Sequence, residues 1–138
     1  MKVKEAMHTG VEWCAPDTPV SEIARLMREQ DVGAVPIGEN DRLVGMVTDR
    51  DIVCRGCSSG RDPGMVKARE VMTSGIIYCV EDQEVSDALH LMEDKKIRRL
   101  PVLNDKKRMV GMLTMGDVAH AAPQALVGEL CQAVAAHH

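Results

Sequence analysis

Apolar residues recur at helical spacing in two stretches, Val20, Ile23, Ala24 and Met27, then Val85, Ala88, Leu89 and Met92. Steps of three and four put such residues on one face of a helix. The opposite face carries Glu22, Arg25, Arg28 and Glu29 in the first stretch and Asp87, Glu93 and Asp94 in the second. Thr18 as cap and Pro19 as first helical residue mark the start of the first helix; Asp82 is the cap expected for the second. A short apolar run follows each helix, at 34–37 and 100–103. A polar turn (38–41, 104–107) and a second apolar run (43–47, 109–113) come next. Two such runs joined by a short turn predict an antiparallel hairpin. Pro36 and Pro101 place the first strand of each hairpin at an edge or at its start. Further short strands are expected at 11–15 and 76–80, and a second helix just after Thr48 and after Thr114. The order strand, helix, strand, strand, helix predicts a mixed α/β unit, present twice.

The duplication extends to individual residues. At a shift of 65 positions, Lys4-Glu5-Ala6-Met7 returns as Arg69-Glu70-Val71-Met72 and Gly10 as Gly75. Likewise Trp13-Cys14 returns as Tyr78-Cys79, Asp17 as Asp82 and Pro36 as Pro101. After one inserted residue the shift is 66, and Val44-Gly45-Met46-Val47-Thr48 returns as Val110-Gly111-Met112-Leu113-Thr114, with Asp51 as Asp117. A repeat that keeps its apolar face and its turn chemistry is a duplicated structural unit. Each copy is near the size at which a lone core is marginal, so the halves are expected to need each other. The division read from the sequence is a first repeat at 1–57, a linker at 58–66 rich in Gly, Ser and Pro, a second repeat at 67–121 and a tail at 122–138. Leu126, Val127, Leu130, Cys131 and Val134 give the tail a helical stripe that packs on the core or in a dimer contact.

Composition narrows the function. Aromatics are 1% of the 138 residues, so aliphatic side chains and ten Met fill the core. Met adapts to irregular gaps and implies no cofactor by itself. A net charge of −4 and only two short basic clusters argue against nucleic acid as a partner. No apolar run approaches the ~20 residues that span a bilayer, and the N-terminus lacks the apolar stretch of a signal peptide. The chain is expected to be cytoplasmic, with its five Cys free. His8, His90 and His120 are isolated along the chain and read as surface residues. No nucleophile set, paired-carboxylate site or phosphate loop stands out, so no enzyme is expected. Cys54 and Cys57 form a Cys-x-x-Cys pair that suits zinc or redox cycling; no second such pair exists, and Cys14 and Cys79 could complete a four-ligand site only if the fold brings them near.

The closing motifs carry the most chemistry. Thr48 ends a strand and Asp51 follows one helical turn later; Thr114 and Asp117 repeat the arrangement. A hydroxyl and a carboxylate there sit beside free backbone N–H groups, which favour phosphate. A carboxylate can also accept both hydroxyls of a ribose. The same spacing serves equally as a helix cap.

In order and twice over, the Met-ending opening segments, the strands through Val35-Pro36-Ile37 and Leu100-Pro101-Val102, and the closing motifs Gly45-Met46-Val47-Thr48-Asp49-Arg50-Asp51 and Gly111-Met112-Leu113-Thr114-Met115-Gly116-Asp117 resemble a tandem pair of CBS domains, a Bateman module. The resemblance covers about residues 1–120, and the chain is similar to small stand-alone bacterial pairs of the hypoxic response type. It implies two β-α-β-β-α units related by a pseudo-twofold axis, commonly dimerised. It implies a regulatory module that binds AMP, ADP, ATP or S-adenosylmethionine in crevices between the repeats and acts on a partner not named by the sequence. Carried onto this chain, it assigns ribose and phosphate to Thr48, Asp51, Thr114 and Asp117, charge to Arg50, Arg98 and Arg99, and adenine walls to Val11 and Ile76. Gly33-Ala34 stands where the second copy has Arg98-Arg99, and Gly116 where the first has Arg50, so unequal sites are expected. A ligand-free dimerisation module and a thiol or metal switch are the competing readings.

Overall fold

A computed structural model describes residues 1–40, 42–121 and 124–135. Asp41 of the first turn, Pro123 ahead of the tail and His137-His138 lie outside them. The elements are α1 (Val3–Ala6), α2 (Val20–Gln30), β1 (Ala34–Glu39), β2 (Arg42–Thr48), α3 (Asp49–Asp51), α4 (Ala68–Val71), β3 (Cys79–Val80), α5 (Val85–Lys95), β4 (Arg99–Leu103), β5 (Met109–Thr114), α6 (Met115–Ala121) and α7 (Gln124–Ala135). Both hairpins form as the pattern predicts: β1 pairs antiparallel with β2, and β4 with β5.

The chain folds as two compact units that do not coincide with the sequence repeats. One is Glu12–Ile76; the other joins Met1–Val11 to Ile77–His138. Each unit is therefore the body of one repeat plus the opening segment of the other. Hydrogen bonds hold the segments in place. In the split unit Val3 N–H donates to Gln83 O at 2.8 Å and Lys4 N–H to Glu81 O at 3.0 Å. In the continuous unit the equivalent Ala68 and Arg69 donate to Thr18 O and Pro16 O, each at 2.9 Å. Val3 and Ala68 are fully buried. Ion pairs repeat the pattern: Lys4 Nζ lies 3.0 Å from Asp82, and Arg69 Nη2 2.7 Å from Asp17.

Each unit has its own core. Ile23, Val35, Ile37, Val47 and Val71 centre one. Leu89, Met92, Leu100, Leu113 and Leu130 centre the other. Burying a side chain of this size stabilises by about 1.5–3 kcal/mol. The tail helix α7 buries Leu130 and Val134 in the second core, with Leu126 and Val127 packed against it. The tail stripe thus packs on the core of its own chain, and Cys131 is exposed.

Several local expectations need correction. The first long helix begins at Val20, and Pro19, with ψ 142°, holds the cap position without a side-chain bond. Thr18 Oγ1 instead accepts the Ala15 N–H at 3.1 Å, closing the preceding turn. The helix's first free donors go to the segment read as linker: Val20 to Val66 O at 2.8 Å and Ser21 to Pro63 O at 3.2 Å. Asp82 does not cap the second long helix either, because it pairs with Lys4; Glu84 holds the cap position. The strand expected at 76–80 shrinks to β3, parallel to β4, and that at 11–15 to a single bridge, Cys14 to Ile37. Pro101 consequently lies in the central strand of the β3-β4-β5 sheet, not at an edge. The first copy shows why proline is tolerated: Pro36 O accepts the Cys14 N–H at 3.0 Å, and the return bond comes from Gly38 N–H to Cys14 O at 2.9 Å. The parallel pairing starts after the proline nitrogen, so the missing N–H breaks no ladder bond.

Candidate functional site

In the unit Glu12–Ile76, β2 delivers Thr48 to the start of α3. Asp51 N–H donates to Thr48 Oγ1 at 3.1 Å, and Thr48 N–H donates to Asp51 Oδ2 at 2.9 Å. This is a reciprocal cap, and it holds both side chains half-buried. It spends one carboxylate oxygen only; Asp51 Oδ1 takes no protein hydrogen bond among the described residues. Arg50 is exposed, and its backbone N–H donates to Asp49 Oδ1 at 2.8 Å. Asp49 also fills the space beside Gly33: a Cβ at residue 33 would lie 3.1 Å from Asp49 Oδ2. A carboxylate thus stands beside the position occupied by Arg98 in the other copy. Ile76, half-buried, belongs to this unit.

The second unit repeats the cap to within 0.1 Å. Asp117 N–H donates to Thr114 Oγ1 at 3.1 Å, and Thr114 N–H donates to Asp117 Oδ2 at 2.9 Å. Here Oδ2 has an additional partner, His8 Nδ1 at 2.8 Å. His8 was expected to be an isolated surface residue; the opening segment brings it to Asp117 because its backbone forms a two-way bridge with Met112, each bond 3.0 Å. Thr73 makes the equivalent bridge to Met46 in the other unit. No spacing along the chain joins His8 to Asp117, and the repeat offset sets Thr73, not a histidine, at the matching position. Arg98 is exposed and its carbonyl accepts the Met115 N–H at 3.0 Å; Arg99 opens β4, half-buried. Gly116 is exposed where the other copy has Arg50. Val11 belongs to this unit, half-buried after Gly10, whose φ of +73° glycine adopts without strain. Gly75 does the same before Ile76.

The closing glycines explain the Met-ending opening segments. A Cβ at Gly111 would lie 2.7 Å from the His8 carbonyl oxygen and 2.7 Å from Met7 Sδ; at Gly45 it would strike the Met72 side chain. Each opening segment can therefore lie close against the closing strand of its unit, which is what carries His8 or Thr73 to its bridge.

The cysteines are free. Cys54 and Cys57 are exposed on a π turn (Ile52–Gly56) that leads into a 3-10 turn (Cys57–Ser59), and neither joins a group of three metal-ligating side chains among the described residues. Burial raises the Cys79 thiol to about 11 and also raises that of Cys14, with Glu22 and Glu12 adding to the effect. Both stay protonated and inert near neutral pH. Among the described residues no helix is long and apolar enough to cross a membrane.

A CBS-domain family model matches residues 3–55 and 68–124. Hypoxic response protein 1 of Mycobacterium tuberculosis is 36% identical over 132 residues, 95% of this chain and 92% of that protein. The crystal structure of hypoxic response protein I with two coordinated zinc ions is 37% identical, with a TM-score of 0.80 over 89% of this chain and all of that one. The structure of CBSX2 in complex with AMP is 27% identical, with a TM-score of 0.77 over 90% and 97% of the two chains. With both repeats matched in sequence and the mixed α/β fold matched in structure, the chain belongs to the CBS-domain family, as a tandem pair.

Proposed function

We propose that this protein is a non-catalytic ligand-sensing module that binds an adenosine-containing nucleotide, AMP, ADP, ATP or S-adenosylmethionine, at its closing motifs and signals the bound state to a partner. The observation that carries the reading is the spare oxygen: Thr48–Asp51 and Thr114–Asp117 each fix a carboxylate by a cap and leave Oδ1 without a hydrogen bond among the described residues. A fixed acceptor of this kind suits a ribose hydroxyl, and charge-assisted bonds contribute about 1.5–3 kcal/mol each. The AMP complex of the related CBSX2 supports the ligand class. Phosphate is assigned to the unit that holds Arg98 and Arg99, because the other unit sets Asp49 beside Gly33. Val11 and Ile76 supply apolar surface for the base.

The test is calorimetric titration with AMP. Asp51→Asn and Asp117→Asn keep an oxygen for the cap and remove the charge, so the double variant folds and binds AMP at least ~10-fold more weakly, the loss of ~1.4 kcal/mol or more. Arg98→Ala weakens AMP and leaves adenosine unchanged. Undiminished AMP affinity in the folded double variant removes the ribose role, and a wild type that takes up no nucleotide leaves a protein-interaction module.

A further inference from the structure

The helix pair α5 and α7 holds a cluster that the nucleotide reading does not use. His90 and Glu93 lie three residues apart on α5, hence on one face, and α7 brings Glu129 to them. One ligand atom from each of the three falls within 4.8 Å of the others. A second observation concerns Glu93 alone. The residue is half-buried, but its Oε1 is out of contact with solvent and has no hydrogen-bond partner, the one such side-chain atom among the described residues. A carboxylate oxygen withdrawn from water without a partner is costly. No ion pair among the described residues engages either glutamate.

The first repeat supplies a comparison. Its helix α2 has Arg25 and Arg28 where α5 has His90 and Glu93, and both arginines are exposed. The ligand set occurs in the copy whose helix packs against the tail.

The geometry points to a divalent metal site of the zinc class at His90, Glu93 and Glu129, clamping the tail helix α7 onto α5. One imidazole nitrogen and two carboxylates form a set that zinc accepts, with water as the fourth ligand. Calcium and magnesium prefer all-oxygen shells. The metal would take one carboxylate oxygen each from Glu93 and Glu129 and one ring nitrogen from His90.

Zinc titration and thermal unfolding of the full chain test this, with Cys54→Ser and Cys57→Ser introduced throughout so that the exposed Cys-x-x-Cys pair cannot supply the signal. The expected results are one zinc per chain, a raised unfolding midpoint, and no comparable response to magnesium. His90→Ala and Glu129→Gln, both at exposed positions, weaken zinc at least 10-fold. Glu93→Gln removes the unpaired charge, so without metal it unfolds at the wild-type midpoint or above, yet zinc no longer raises it. A merely structural glutamate would not separate those two readings. Absence of zinc uptake, or equal uptake by the His90→Ala and Glu129→Gln chains, overturns the assignment.

Discussion

His8 Nδ1 lies 2.8 Å from Asp117 Oδ2, the same oxygen that accepts the Thr114 N–H. Asp51 Oδ2, its counterpart, accepts from Thr48 N–H alone among the described residues, and Thr73 stands where His8 would be. A carboxylate oxygen offers about two lone pairs. Oδ2 of Asp117 is therefore fully used, while that of Asp51 keeps one free. If the proposed ribose role holds, a diol that engages both oxygens needs no rearrangement at Asp51 but needs His8 to turn away from Asp117. Both units offer an Oδ1 with no hydrogen bond among the described residues; the Asp51 unit also keeps a lone pair on Oδ2, and the other unit carries Arg98 and Arg99.

His8→Thr, which copies the other repeat, is expected to strengthen nucleotide binding at Asp117 by up to ~10-fold, since it frees one acceptor site of about 1.4 kcal/mol. Calorimetry in an Asp51→Asn background isolates that site. Weaker binding in the variant would mean that His8 assists the ligand and does not compete with it.

The glycine of each closing strand permits a close approach, but the obstacle differs. Gly111→Ala sets a methyl group against the His8 carbonyl, a backbone atom fixed by the bridge to Met112. Gly45→Ala meets the flexible Met72 side chain. Overpacking typically costs about 1–3 kcal/mol. Denaturant unfolding should show Gly111→Ala losing more stability than Gly45→Ala. The reverse order would contradict this account of how the opening segments are seated.

Acid should loosen both opening segments. Hydrogen bonding to Arg69 holds the Asp17 carboxyl below its ordinary value, and Lys4 does the same for Asp82. Glu70 is lowered chiefly by the Lys67 backbone N–H and then by Arg61. A depressed folded value contributes stability above the unfolded value, near 4, and that contribution is lost as pH falls through the folded value. Asp17→Asn combined with Asp82→Asn should flatten the fall in melting temperature below about pH 4, with little change at pH 7 in high salt, where exposed pairs are screened. An unchanged acid limb would show that these pairs do not tether the segments.

Periodicity and repeat offset revealed the hairpins, the long helices and the Thr–Asp closing motifs, because each depends on neighbours in sequence. The exchange of opening segments was not legible. Val3 and Ala68 look like ordinary starts of their own repeats, and nothing local says that they hydrogen-bond to Gln83 and Thr18. The same non-local pairing diverted Asp82 from capping to Lys4 and brought His8 to Asp117. His90 read as isolated because its neighbour Glu129 lies on a separate helix, α7, whose apolar stripe was visible and whose docking on α5 was not.

The most direct measurement for the central claim is a thermal-shift panel of the purified chain with AMP, ADP, ATP, S-adenosylmethionine and GTP. A ligand at 100 times its dissociation constant adds about 2.7 kcal/mol to stability, which moves the midpoint by several degrees. At least one adenosine compound should raise the midpoint by that amount while GTP leaves it unmoved. Equal midpoints with every compound at millimolar concentration would contradict nucleotide sensing by this CBS pair.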